Sequence, residues 1–532
     1  MLRLVSATVG PIPVATGGAA PSQTVEAYNA GDGTLSPSVS SSVSWITPSL
    51  GAARACTTTT AAASCIPLLF SLNTTALAAG TYTGIVTVTA PASTVDAPQT
   101  ITVTVRVGGV DVYVAPGTTL DVPITTTHAV TSNVQNGSGW LTLVLDGTGS
   151  FRFIYPYRIH FAPPAGMAPG VNYNASVTTG GSTVAAENVT IPVTMRLTTQ
   201  PIAQALPDQI NLRLASGAPP LVYPFSIFVG LSNIGLGSLS VGSITTSGGA
   251  WIKQDTVPSF IAIDPTGMDP GTYNGTVAIA SNAVNGPSNI PVNLVIVAKG
   301  APLIYYQGVL DNGTFVPGDT VSQGDIMVVK GEQLSFGAFT AGQAPPLATV
   351  LGGASVLVNG TAAPLYYSSY QQLAFQMPVN TPLGNALVQV QRDDGSISNT
   401  VSVNVAPRAP RLLAAVNQDF SVNLPDGSHP ANAGDVLTIY AIGLGQTSPA
   451  VATGQPAPAV EPLARITGDL LVSFGGGVLA ANVPAAFAGL TPTYAGLYQI
   501  NVVVPDNTPK GIVDLSAAFP DARSNSLRIA IQ

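Results

Sequence analysis

The sequence predicts an all-β protein: tandem immunoglobulin-like β-sandwich modules strung as an extended rod. Three observations predict it. Segments such as GIVTVTA and TITVTVRV alternate apolar and Thr positions with a period of two, which gives a strand one apolar face. Turn residues interrupt these segments at the roughly 8–12-residue spacing of a sandwich. A Trp pattern followed by Gly-x-Tyr recurs three times.

Composition agrees with each element. Gly (55) and Pro (45) supply turn formers, while charged residues, which include most strong helix formers, are only 8% of the chain. Apolar residues reach 46% and are evenly spread, so the chain is not disordered. At 532 residues it is too long for one core, and small all-β modules favour five domains. With so few charges, the surface must be largely Ser, Thr, Asn and Gly. That suits a protein outside the cell, packed against copies of itself. A net charge of −8 argues against nucleic-acid binding, and no apolar run is long enough for a membrane helix. The apolar stretch after Met1-Leu2-Arg3 is broken by Gly10-Pro11 and Pro13, so it does not read as a signal peptide.

The three copies of the Trp pattern are Trp45 with Gly80 and Tyr82, Trp140 with Gly170 and Tyr173, and Trp251 with Gly271 and Tyr273. Each Trp and Tyr is expected to anchor a core. The second copy carries one extra residue between Gly170 and Tyr173. From about residue 301 a different repeat begins. Gly324-Asp325-Ile326 corresponds to Gly434-Asp435-Val436, and Ser398-Asn399 corresponds to Ser524-Asn525. The modules are therefore placed at 1–108, 109–198, 199–299, 300–407 and 408–532, joined by short Pro- or Gly-bearing linkers that restrict hinging.

The stretch GGAAPSQTVEAYNAGDGTLSPSVSSSVSWITPSLG, with SLNTTALAAGTYTGIVTVTA, resembles a BACON domain, an Ig-like module of bacterial surface and secreted proteins. The third copy, through IAIDPTGMDPGTYNGTV, is similar to it, and the second is a divergent version. LGGASVLVNGTAAPLYYSSYQQLAFQMP, GDVLTIYAIGLGQTSPAVATGQPAP and FAGLTPTYAGLYQINVVVP resemble the C-terminal region of secreted Acidobacteria proteins first noted in Solibacter, with IPT/TIG-like Ig modules. The resemblance implies a secreted or cell-surface bacterial protein, and the BACON name carries a suggested carbohydrate-binding role. It implies no catalytic activity.

Chemistry-bearing residues are few. Cys56 and Cys65 flank a Thr/Ala-rich stretch. Eight intervening residues and no nearby His make a metal or redox pair poor, so a small structural disulfide is expected, in an oxidising compartment. His128, His160 and His429 show no metal-ligand spacing, and no nucleophile elbow or phosphate loop occurs. Asp264 with Asp269, and Asp393-Asp394, read as turn chemistry. No enzyme activity, cofactor or metal is expected. The best ligand surface is FIYPYRIHF, with Tyr155, Tyr157 and His160; alternation puts Tyr155, Tyr157 and Ile159 on one face, where a core contact is the competing reading. Leu365-Tyr366-Tyr367 and Tyr370 read as buried strand packing.

The expected function is a non-enzymatic extracellular structural protein, a surface or filament-forming subunit that self-associates head to tail. The alternative is a carbohydrate-binding or adhesive array contacting extracellular polysaccharide.

Overall fold

The computed structural model describes the whole chain except residues 31–33, 58, 60, 61, 92, 93, 95, 96, 127–129, 146–154, 181–187, 189 and 476–480. Every regular element among the described residues is a β-strand. The chain forms two compact units. One holds residues 1–212, 221–263 and 273–294; the other holds 213–220, 264–272 and 295–532.

The first module packs two sheets. One has the order Leu2–Leu4, Gln23–Asn29, Ser64–Leu72, Ile46–Leu50; the other has Thr8–Val14, Gln99–Val107, Gly80–Thr89, Ser38–Ser41. Thr8–Val14 runs parallel to the last strand, with Val14 opposite Val107, while its neighbours pair antiparallel. Leu68, Phe70, Val86, Val88, Ile101, Val103 and Val105 fill the space between the sheets. The second module also pairs an early strand parallel to its last, Val110–Val114 beside Thr190–Leu197. Its facing sheet is Leu120–Thr126, Tyr155–Phe161, Leu141–Leu145. The third module has a four-stranded sheet, a three-stranded sheet of Ile227–Phe228, Phe260–Ile263 and Ile252–Gln254, and a two-stranded ribbon.

The Trp pattern proves to have a further member. A Cβ on Gly84 would collide with Val43 and Ile46 and come within 3.3 Å of the Trp45 ring. A Cβ on Gly275 would lie 3.1 Å from the Trp251 ring and 2.8 Å from the Ser247 carbonyl. The motif is thus Gly-x-Tyr-x-Gly, with the second glycine leaving room for the indole. In the second module that position is Ala175, itself buried, and Trp140 is wholly enclosed. Gly84→Ala should overpack the core and cost about 1–3 kcal/mol. Urea denaturation checks this against Thr83→Ala, one residue away on the exposed face, which should be nearly neutral.

The fourth and fifth modules are built alike. In each, a Ser-Asn pair ties the first strand to the last hairpin. Asn399 accepts from the Ile304 amide at 2.8 Å and donates to its carbonyl at 3.0 Å. Asn525 does the same to Leu412, at 2.7 and 3.0 Å. Ser398 accepts from the Val390 amide and Ser524 from the Ala517 amide, each at 2.9 Å.

Both modules belong to the second unit, and their junction is tightly bonded. Arg411 pairs with Asp319 at 2.9 Å and with buried Asp311 at 3.5 Å. Tyr366 donates to the Ala495 carbonyl at 2.6 Å, and Gln376 accepts from the Gly454 amide at 2.6 Å while donating to the Gly324 carbonyl at 3.3 Å.

Candidate functional site: an exposed aromatic patch

An antiparallel pair directly opposes two aromatic residues when register places them so, and here Phe228 faces Phe260. Their ring centroids are 5.7 Å apart at 70°. Tyr223 also meets Phe260, at 5.6 Å and 88°. Ile261 and Ile263 face the core and are fully buried, while Phe260, on the opposite face with the buried Ala262, keeps part of its ring exposed. Tyr223 is 55% exposed and Phe228 is 52% exposed, and Phe260 is half-buried.

The surrounding loop is held in place. Ser259 adopts a left-handed conformation (φ 64°), which a non-glycine residue reaches at a cost of about 1–3 kcal/mol. Its carbonyl accepts from the Val229 amide at 2.8 Å, and the Asp255 amide donates to Phe260 at 2.8 Å. The Asp255 carboxylate accepts from the Tyr223 amide at 2.9 Å and from the Thr256 amide at 2.6 Å. The Ser226 hydroxyl and these donors hold Asp255 down to about 2, so it stays ionised. On the neighbouring strand, Gly230 lies under the Phe228 ring, 3.0 Å from where a Cβ would stand. The patch is a supported surface feature, apolar at its centre with one carboxylate at its edge.

The residues singled out from the sequence lie elsewhere. Cys56 and Cys65 form a disulfide, on a hairpin where Arg54 lies opposite Cys65. Beside it, the buried Glu26 carboxylate accepts from the Thr57 amide and pairs with Arg54 at 2.9 Å. Trp45, Trp140, Trp251 and Tyr173 are buried; Tyr82 and Tyr273 are half-buried, and Tyr82 packs on the first core. Trp140 stacks on Phe161 with centroids 6.1 Å apart and donates to the Asn136 carbonyl at 3.0 Å. The Tyr173 hydroxyl accepts from the Ala168 amide at 3.0 Å.

The expected ligand surface of Tyr155, Tyr157 and His160 is not a single surface. Tyr157 packs against the second core alongside Ile159 and Phe161. His160 points to the opposite face, where its Nδ1 lies 2.7 Å from Asp121, which also accepts from Arg158 at 2.8 Å. Successive side chains of a strand take opposite faces, so residues three apart cannot share one. Tyr155 lies in the strand, but its side chain is outside the described residues, as is His128. Tyr366 and Tyr370 are largely enclosed, with the Tyr370 hydroxyl accepting from the Ala215 amide at 2.7 Å. Asp264 and Asp394 accept from the amides of Thr266 and Ser396, two residues on, as turn aspartates do.

No signal in the sequence pointed to Tyr223, Phe228 and Phe260 together. The nearest hint is LVYPFSIF, an aromatic-rich run whose outward face only the pairing register defines.

Among the described residues no three His, Cys, Asp or Glu side chains group as a metal site, and no helix is long and apolar enough to cross a membrane. No family model and no curated protein matches the chain. Solved structures resemble it distantly. Protocadherin gamma B2 extracellular cadherin domains 1–5 align over 94% of this chain and 93% of their own, at 10% identity and a TM-score of 0.16. SGBP-B of the Bacteroides ovatus mixed-linkage glucan utilization locus, in complex with a mixed-linkage heptasaccharide, aligns over 75% and 89%, at 12% identity and 0.21. An endo-fucoidan hydrolase of glycoside hydrolase family 107 aligns over 55% of this chain at 14% identity and 0.15; the chain spans 44% of that enzyme. These TM-scores lie well below that of a shared whole-chain fold.

Proposed function

We propose that the protein is a non-enzymatic extracellular structural subunit whose sandwich modules act as spacers and whose copies associate through the aromatic patch of the third module. The observation that supports this is the exposure of Tyr223 and Phe228, each packed edge-on against Phe260. Single exposed apolar residues are ordinary, but a supported aromatic group with a single carboxylate at its edge marks an interaction site. Two rings standing steeply against a third make a ridge. A ridge interlocks with side chains of another protein better than it lies flat on a pyranose ring. The partner is a second copy, because only 8% of residues are charged and a net charge of −8 spread over so large a chain repels a like surface weakly. An extracellular location is supported by the Cys56–Cys65 disulfide.

We also assign the first three modules to the BACON-like group and the last two to the IPT/TIG-like Solibacter group. The glycine under the indole in modules one and three, and the Ser-Asn tie in modules four and five, support the two groupings. Meeting a different surface of the next copy, the patch gives head-to-tail assembly into a filament.

Sedimentation velocity and negative-stain microscopy over a wide concentration range test the proposal. The wild type should form larger species as concentration rises. A Tyr223→Ser, Phe228→Ser double variant should remain monomeric while still unfolding cooperatively, with only a small fall in melting temperature from the two lost ring contacts. A wild type that stays monomeric throughout rejects self-association, and a double variant that assembles normally rejects the patch.

A further inference from the structure

Between the first and second modules, inside the first unit, lies a cleft of about 670 Å³, lined also by Ile202, Ile234 and Asn285. That volume is within the roughly 300–1,000 Å³ typical of ligand sites. Its polar side chains include Arg106, Asp111, Tyr113 and Asp121. All but one of the charged groups are already neutralised. Asp111 receives both Nε and Nη2 of Arg196 at 2.7 Å, and that guanidinium sits 5.8 Å over the Tyr113 ring. Asp121 receives Arg158 and His160 at 2.8 and 2.7 Å. The Asn285 amide is taken up by the Ala203 backbone, at 2.8 Å in both directions.

Arg106 is the exception. It lies on Gln99–Val107 between the buried Val105 and Val107, so its side chain leaves the core and enters the cleft wall. It is half-buried, and no hydrogen bond or ion pair engages its guanidinium among the described residues. Burial pushes it below the ordinary arginine value with no carboxylate opposing the shift. With its stem against the sheet and its guanidinium in the cleft wall without a protein partner among the described residues, Arg106 is available to an anion.

We propose that this cleft binds a sugar chain bearing a carboxylate, with Arg106 as the carboxylate's anchor. The guanidinium fork matches two carboxylate oxygens side by side. The neutralised Asp111 and Asp121 keep lone pairs that accept from sugar hydroxyls, and Tyr113 and Thr81 add polar hydroxyls to the wall. The ligand is therefore anionic at one point and hydroxyl-rich around it, as a uronate is. This site adds to self-association and does not depend on it.

Isothermal titration of the full chain with trigalacturonate, a neutral trisaccharide and a sulfated trisaccharide tests the assignment. Trigalacturonate should bind about tenfold more tightly than the neutral sugar. Arg106→Gln should abolish that preference without changing the melting temperature, and Arg106→Lys, which keeps the charge but not the fork, should restore part of it. The Tyr223→Ser, Phe228→Ser variant should bind as the wild type does, which separates this site from self-association. Absence of binding, equal binding of the neutral sugar, tighter binding of the sulfated one, or full affinity in Arg106→Gln would each overturn the proposal.

Discussion

Trp140→Ala should destabilise the second module by about 4 kcal/mol, more than the same change at Trp45 or Trp251. Trp140 is fully buried, whereas the other two retain a small exposed edge. It stands between Phe161, 6.1 Å away, and Tyr173, 6.4 Å away, so its removal strips both rings of their partner. It also deprives the Asn136 carbonyl of the indole donor at 3.0 Å. The cavity cannot close easily, because strand pairing on both sides fixes Leu141 opposite Phe161 and Tyr173 opposite Met195. Native-state hydrogen exchange should show the loss in the strands Tyr155–Phe161 and Asn172–Thr179 first. Protection that falls by less than the equivalent of about 1 kcal/mol in those strands would mean the site collapses around the smaller side chain.

Much of this architecture was legible because the signals are local. Period-two alternation marks strands, and Trp with Gly-x-Tyr marks where a core needs a large ring. The Ser-Asn pairs repeat because each performs the same bonding task in its own module. Face assignment was less legible. Alternation correctly groups Tyr157 with Ile159 but cannot say that this face meets a second sheet, and it leaves His160 on the other side. The aromatic patch was invisible because Phe228 and Phe260 lie far apart in the chain and meet only through register. The repeated Gly-Asp shows the limit most clearly. Asp435 is partly exposed and accepts from the Asn432 amide at 2.7 Å, whereas Asp325, at the same place in the repeat, is wholly buried. The difference arises outside the motif: Gly443, in the following module, lies so close that a Cβ there would sit 3.3 Å from the Asp325 carboxylate.

That burial gives Asp325 an expected pH signature. Its carboxyl accepts from the Ile326 amide at 2.9 Å and from the Ser322 amide at 3.3 Å. The groups that face it are Asp311, Arg411, Tyr366 and Tyr498. Arg411 offsets little, since its charge is committed to Asp319 and Asp311. Burial dominates, and with Asp311 nearby it raises the carboxyl from 3.8 to about 8. Between these two values the folded state holds a proton that the unfolded chain has released. Raising the pH therefore favours unfolding, and stability should fall from about pH 4 to about pH 8, then level off, by at most about 1.4 kcal/mol for each pH unit. The melting temperature of the second unit should accordingly be lower at about pH 8.5 than at about pH 5. Asp325→Asn, which cannot ionise, should remove most of that slope, while Asp435→Asn should leave it unchanged. The comparison isolates burial, because Asp435 holds the same place in the repeat but is partly exposed. A wild type with a flat profile across the window would show that Asp325 is ionised in the folded protein, and the junction would then need a cation closer to it than Arg411.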